Sequence, residues 1–118
     1  VHLAAVSTAK YFMPMLLVNF RRRFPGIDVQ LGLHNREGVL ALLARNDCDL
    51  VVMGRAPEEI ACTAVPFATN PMAVVAAPTH PLSRRRHAPL SILKGEGFVM
   101  REAGSGTRAA MERVFRRA

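Results

Sequence analysis

The sequence has no Trp, a single Tyr and only six Phe. Stacking platforms for bases are therefore not expected, and with them goes the commonest way of holding single-stranded nucleic acid. Cysteine is equally scarce. Cys48 and Cys62 fit no metal-ligand spacing and lie among apolar residues. They read as buried, reduced thiols of a cytosolic protein, and nothing supports a redox switch between them. The histidines His2, His34, His80 and His87 are dispersed and form no ligand motif, so neither a metal nor a cofactor is implied. No apolar run reaches membrane-spanning length, and the longest, residues 72–78, has the length of a strand. No signal peptide opens the chain, and Val1-His2-Leu3 begins directly in strand-like sequence. The expectation is a cytoplasmic protein with no membrane partner.

Negative charge is also in short supply. Nine Asp and Glu face sixteen Lys and Arg, for a net charge of +7 carried by Arg far more than by Lys. Such a surface suits acidic partners such as nucleic acid or phosphorylated metabolites. The Arg residues are scattered apart from two triplets, Arg21-Arg22-Arg23 and Arg84-Arg85-Arg86, a pattern equally expected of solvated faces. Half of the 118 residues are apolar, enough for the core of one domain, or of one domain and part of another. There is no initiator Met, and the final residues 114–118 continue a helical pattern, so the expectation is a piece of a longer polypeptide.

Residues 2–6 form a short apolar run followed by Ser7-Thr8-Ala9, a strand leading into a helix that Ser7 or Thr8 could cap. Pro14 suits a first helical turn. Met13, Leu16, Leu17, Phe20 and Phe24 follow at helical spacing, with Leu16, Leu17 and Phe20 assigned to the core, until Pro25-Gly26. Ile27, Val29, Leu31 and Leu33 alternate with polar residues or Gly, the pattern of a strand with one buried face. Asn35 is placed to cap the next helix and Glu37 lies in its first turn. Val39, Leu40, Leu42 and Leu43 form that helix's buried side, and Asn46-Asp47 closes it. Residues 49–54 are a continuous apolar strand, as expected where both faces are covered.

This β-α-β-α-β order predicts an α/β fold with an open, parallel sheet and helices on its faces. Ligands in such sheets lie beyond the carboxyl ends of the strands. That directs attention to Ser7-Thr8 and to His34-Asn35, both also helix starts with N–H groups to offer. Residues 55–63 read as a loop, 72–77 as a further strand, and 78–87, with two prolines and a charge run, as a domain crossing. Residues 89–93 read as a short helix.

The most informative stretch is residues 97–108. Phe98, Val99 and Met100 form a short apolar strand, Gly104 and Gly106 permit a tight turn, and Ser105 or Thr107 can cap a helix. Met111, Val114 and Phe115 supply that helix's apolar stripe. Amides at a helix start, two hydroxyls, Arg101 and Arg108 together favour an anion. A capped helix with no ligand explains the same residues. The Gly-Lys-Ser/Thr ending of a Walker A loop is missing.

Several motifs, in order and at consistent spacing, resemble the effector-binding domain of LysR-type transcriptional regulators. They are Val6-Ser7-Thr8-Ala9 leading to Met13-Pro14-Met15-Leu16-Leu17, Phe20-Arg21-Arg22-Arg23-Phe24-Pro25-Gly26, and Asn46-Asp47-Cys48-Asp49-Leu50-Val51-Val52. Pro78-Thr79-His80-Pro81-Leu82-Ser83 and Arg101-Glu102-Ala103-Gly104-Ser105-Gly106-Thr107-Arg108 complete the set. Ser7-Thr8-Ala9-Lys10-Tyr11-Phe12, Met53-Gly54-Arg55-Ala56-Pro57 and Arg101-Glu102 look most like the subgroup controlling the carbon-fixation operon of the Calvin cycle.

The resemblance implies a periplasmic-binding-protein-like fold of two Rossmann-like lobes, the first over residues 1–77 and the second, truncated, over 78–118. It implies an effector between them held by Ser7, Thr8, His34, Asn35, Arg101, Glu102, Gly104, Ser105, Gly106 and Thr107. That effector would be a sugar phosphate or a nicotinamide nucleotide. It also implies homo-oligomers formed through effector domains, with DNA contacted only through an N-terminal helix-turn-helix that this sequence does not contain. The competing reading on the same fold is a solute-binding protein of a transport system. An enzyme is disfavoured: there is no Gly-x-Ser-x-Gly elbow, no metal cluster and no suitably paired carboxylates.

Overall fold

A computed structural model describes residues 1–116. Three strands form one parallel sheet: β1 (His2–Val6), β2 (Gln30–His34) and β3 (Leu50–Val52), in the order β2-β1-β3. The central β1 pairs Leu3 with both Leu31 and Leu50, and Ala5 with Leu33 and Val52. Small residues suit this position. Ala4 and Ala5 are buried on opposite faces, so elements can close on both sides.

On one face, Leu3 and Ala5 pack with Ala9 of the 3₁₀ turn Ser7–Tyr11 and with Met13 of helix α1 (Met13–Arg23). Leu17, Val29, Leu31 and Val52 extend this cluster. Leu17 and Phe20 are half-buried as expected, but Leu16 is 48 % exposed and faces outward with Met15 and Val18. The expected cap by Ser7 or Thr8 does not form: Phe12 occupies the N-cap of α1 and no side chain caps it. The chain spends those residues on the 3₁₀ turn, and Pro14 then starts the regular helix without missing an N–H it would have used.

Helix α2 (Arg36–Ala44) packs against β1 and β2 and buries Val39 completely. Its ends follow the sequence closely. The Asn35 side chain accepts from the Gly38 amide at 2.9 Å. Asn46 adopts φ 58°, and the Asn46 and Asp47 amides reach back to Leu43 and Leu42 carbonyls at 3.1 and 3.0 Å, a Schellman closure.

Beyond β3 the expectations need correction. Residues 72–77 and 98–100, read as strands, are irregular, with Val75 88 % exposed and Val99 fully so. An apolar run becomes a strand only when a neighbour pairs with its backbone, and no described strand lies beside either segment. Residues 89–93 yield only a 3₁₀ turn, Leu90–Leu93, and another spans Pro81–Arg84. Helix α3 (Gly106–Phe115) forms as expected, with the Phe115 ring against Phe98 at 5.2 Å. The last two residues of its sequence pattern, 117 and 118, lie outside the described residues.

The chain is consequently open in shape. It exposes 9474 Å², whereas a compact monomer of this mass exposes about 6,300 Å². Its radius of gyration is 17.6 Å, against about 13.5 Å for a compact domain of this length. The apolar residues are present, but much of their surface is unpartnered.

Candidate functional site

The three strands point the same way, so their carboxyl ends gather at one edge of the sheet. Ser7 and Thr8 leave β1, Asn35 and Arg36 leave β2, and Gly54 and Arg55 lie just beyond β3. The segment 101–107 and the first turns of α3 fold over this edge and enclose a cavity of about 210 Å³. One face of α3 lines it through Gly106, Ala109, Ala110 and Arg113, the i, i+3, i+4, i+7 set of a single helical stripe.

The turn over the cavity is held at two points. Glu102 carbonyl accepts from the Ser105 amide at 3.2 Å, and between them Gly104 takes φ +80°. The Gly104 carbonyl then accepts from the Glu37 amide of α2 at 3.1 Å. A Cβ at Gly104 would meet the Glu37 carboxylate and lie 3.0 Å from Glu37 Cβ. Gly104 is thus required both by its angle and by close approach. Gly106 is an ordinary first helical residue, whose Cβ would meet nothing nearer than Arg36 Cδ at 3.5 Å.

Arg101 crosses the site. Its Nη2 donates to Ser7 Oγ at 3.3 Å. Nε and Nη2 also donate to the Glu102 carboxylate at 2.8 and 2.9 Å. This pairing holds the Glu102 carboxyl below the usual carboxylate range and raises the Arg101 guanidinium further. Arg36 Nη1 donates to the Arg55 carbonyl at 2.5 Å, tying the start of α2 to the loop after β3. Arg55 itself pairs with Glu58.

The cavity wall carries Arg36, Arg55, Arg101 and Arg113, and no Asp or Glu among the described residues. The amides of Gly106, Thr107 and Arg108 open α3 with no protein acceptor among the described residues. The start of α2 is different: its Glu37 and Gly38 amides are already taken by Gly104 and by the Asn35 side chain. Of the two helix starts, α3 is the one with donors left for a ligand, and α2 anchors the turn opposite.

Ser7, Thr8, Asn35, Arg101, Ser105, Gly106 and Thr107 all line the cavity. Glu102 and Gly104 are not part of that lining: the exposed Glu102 pairs with Arg101, and Gly104 docks on Glu37. His34 turns away. Its ring folds over Gly32 and borders a separate, shallow hollow with His2, Asp47 and Cys48. Ser105 is nearly buried at the N-cap of α3 but makes no side-chain cap bond.

Arg36, Gly54, Arg55, Asn70, Met72 and Arg113 were not expected in the lining. Gly54 and Arg55 were within reach of the strand-end argument applied to the third strand. Arg113 was within reach of the helical period counted from Gly106. Nothing local marks Asn70 or Met72, which arrive through an irregular segment.

The LysR substrate-binding domain model matches residues 1–118. The chain belongs to the LysR substrate-binding domain family. Its relatives include a RuBisCO operon transcriptional regulator of Allochromatium vinosum, 46 % identical over 113 residues covering 96 % of this chain and 37 % of that protein. The HTH-type transcriptional activator CmpR of Synechocystis is 42 % identical, with the same coverage of 96 % and 37 %. Among solved structures, the Synechocystis CcmR regulatory domain in complex with 2-PG superposes with a TM-score of 0.94 at 42 % identity. That match covers 99 % of this chain and 56 % of the CcmR chain. This LysR-type effector domain therefore has the periplasmic-binding-protein-like α/β architecture, and the chain spans well under half the length of the regulators it matches. Those relatives are regulators of transcription rather than enzymes. Among the described residues no helix is long and apolar enough to cross a membrane.

Proposed function

We propose that this chain is the sensory part of a LysR-type regulator of carbon-fixation genes, and that it binds a small anionic, phosphorylated metabolite in the strand-end cavity. The observation that carries the reading is the cavity wall: four Arg, two of them paired with Glu58 and Glu102 outside it, together with Ser7, Thr107 and the start of α3. Among the described residues the first amides of α3 have no protein acceptor, and no Asp or Glu lines the wall. Charge-assisted hydrogen bonds from such donors are the strong ones, and Arg matches phosphate geometry. The volume of about 210 Å³ lies below the roughly 300–1,000 Å³ of pockets for drug-sized ligands. It therefore favours a compact anion, such as the 2-PG found with the CcmR domain or a small sugar phosphate, over a nicotinamide nucleotide.

The same geometry supplies a route from binding to response. Ser7, Thr8, Asn35 and Arg36 belong to residues 1–77, the first proposed lobe, while Arg101 and Thr107 belong to residues 78–118, the start of the second. An anion touching both favours the closed arrangement only by its extra affinity for that arrangement. The outward Met15, Leu16 and Val18 on α1 offer an apolar face for pairing with a second copy, through which closure would reach DNA-binding parts outside this chain. The experiment is calorimetric titration of the protein expressed from its full reading frame with 2-PG, a sugar phosphate and a nicotinamide nucleotide. Binding of a compact phosphate that Arg101→Ala weakens at least tenfold is expected. Absence of binding by all three, or an unaltered affinity in Arg101→Ala, refutes the assignment.

A further inference from the structure

The cavity contains Arg101 but not its partner Glu102, although the two are adjacent in sequence and bound side-on through two hydrogen bonds. Glu102 occupies Nε and one N–H of Nη2, and Ser7 Oγ lies within reach of the same Nη2. Guanidinium carries five N–H groups in a rigid plane. Fixing that edge leaves Nη1 with no acceptor among the described residues. The backbone beneath is held as well, since Arg108 Nη1 donates to the Arg101 carbonyl at 3.3 Å while Arg108 Nε is paired with Glu112 at 2.9 Å. The Glu102 carbonyl closes the turn onto Ser105. Both the side chain and the main chain of Arg101 are thus held by groups outside the cavity lining, Glu102 and Arg108, with Ser7 the contact that lies within it.

We propose that Glu102 is a positioning residue for the effector: without touching the effector, it holds the Arg101 guanidinium across the cavity toward Ser7 and so raises affinity for an anion. This rests on the reading of the cavity as an anionic effector site. A long cationic side chain loses rotamer freedom when it binds a ligand, and a side chain already fixed loses less. The opposite arrangement, in which Glu102 competes with the effector for Arg101, would place the carboxylate in the lining, where it is not found. Arg36 and Arg113 keep the wall basic even with Arg101 paired to Glu102 and Arg55 to Glu58.

The two arrangements predict opposite signs. The test uses the protein from its full reading frame, titrated calorimetrically with 2-PG as the probe. Glu102→Gln keeps one acceptor but loses the charge and the side-on fork, so affinity falls about fivefold to tenfold, within the range of coupling between contacting side chains. Glu102→Asp, shorter but charged, falls less. In an Arg101→Ala background, Glu102→Gln changes nothing further, because the effect of Glu102 runs through Arg101. A structural role would instead lower affinity by the same factor in both backgrounds and shift the thermal midpoint. That result overturns the inference, as does tighter or unchanged binding in Glu102→Gln with wild-type Arg101. If 2-PG binds wild type and Arg101→Ala equally, or binds neither, the site assignment itself falls and the inference with it.

Discussion

Replacing Gly104 by Ala probes how the turn over the cavity is held. Gly104 sits at φ +80°, where a residue with a Cβ loses about 1–2 kcal/mol. The new Cβ would meet the Glu37 carboxylate and crowd Glu37 Cβ at 3.0 Å and Asn35 Nδ2 at 3.3 Å. The carboxylate can swing aside, but Glu37 Cβ belongs to the frame of α2 and cannot. The turn must therefore lift, weakening the 3.1 Å bond from the Glu37 amide to the Gly104 carbonyl, worth about 1 kcal/mol. Reduced freedom of the unfolded chain returns about 0.4–1 kcal/mol. The net cost is about 1–2.6 kcal/mol on docking of the turn, and since each 1.4 kcal/mol is tenfold, effector affinity falls by about 5- to 70-fold. The assay is calorimetry with 2-PG alongside hydrogen exchange at the Glu37 amide. Gly106→Ala is the control, because its Cβ meets only ordinary contacts, and with the same loss of freedom in the unfolded chain it should raise the thermal midpoint slightly rather than lower it. Wild-type affinity and undiminished Glu37 protection in Gly104→Ala would refute the reasoning.

Three further outcomes are expected. Ser7→Ala and Thr107→Ala each weaken effector binding severalfold without shifting the thermal midpoint, since both residues line the cavity and neither belongs to the buried core; calorimetry and melting curves check this. Val39→Ala, at a site with no exposure, lowers stability by about 2–3 kcal/mol, the transfer of two methyl groups plus the void they leave, measured by denaturant unfolding. The Glu102 carboxyl, held down by its hydrogen bonds to Arg101, titrates by NMR below the usual carboxylate range. Because its folded value is depressed, its contribution to stability is present above the unfolded value and is lost as pH falls through the folded one. Arg101→Ala moves the titration back up toward the usual range, the backbone hydrogen bond at Glu102 still lowering it.

The sheet-bearing part was legible because local signals and long-range packing agree there. Asn35, Glu37 and the Asn46-Asp47 closure act within one turn of their own helix, and the apolar run 2–6 forms the buried central strand. The expectation of a strand covered on both faces over residues 49–54 meets instead a short edge strand with Leu50 58 % exposed. Residues 72–77 and 98–100 misled for the converse reason. Their apolar runs state a strand's composition, but strand formation depends on a backbone partner that no local pattern supplies. The expectation that both His34 and Asn35 would face a ligand overlooked the pleat. Consecutive residues at a strand end point to opposite sides, and His34 folds over Gly32 while Asn35 turns into the cap. Arg36 and Arg55 were hidden because charged residues after a helix start or in a loop look solvated until a fold brings them together.

The central claim is that one anion sits at the strand ends between Ser7 and the start of α3. The direct measurement is a crystal structure of the protein from its full reading frame with the effector bound. The account predicts anion oxygens within hydrogen-bond distance of Ser7 Oγ, the Thr107 amide and hydroxyl, and Arg101. An effector lodged elsewhere, for instance in the hollow beside His34 and Cys48, with the strand-end cavity holding only water, would contradict it.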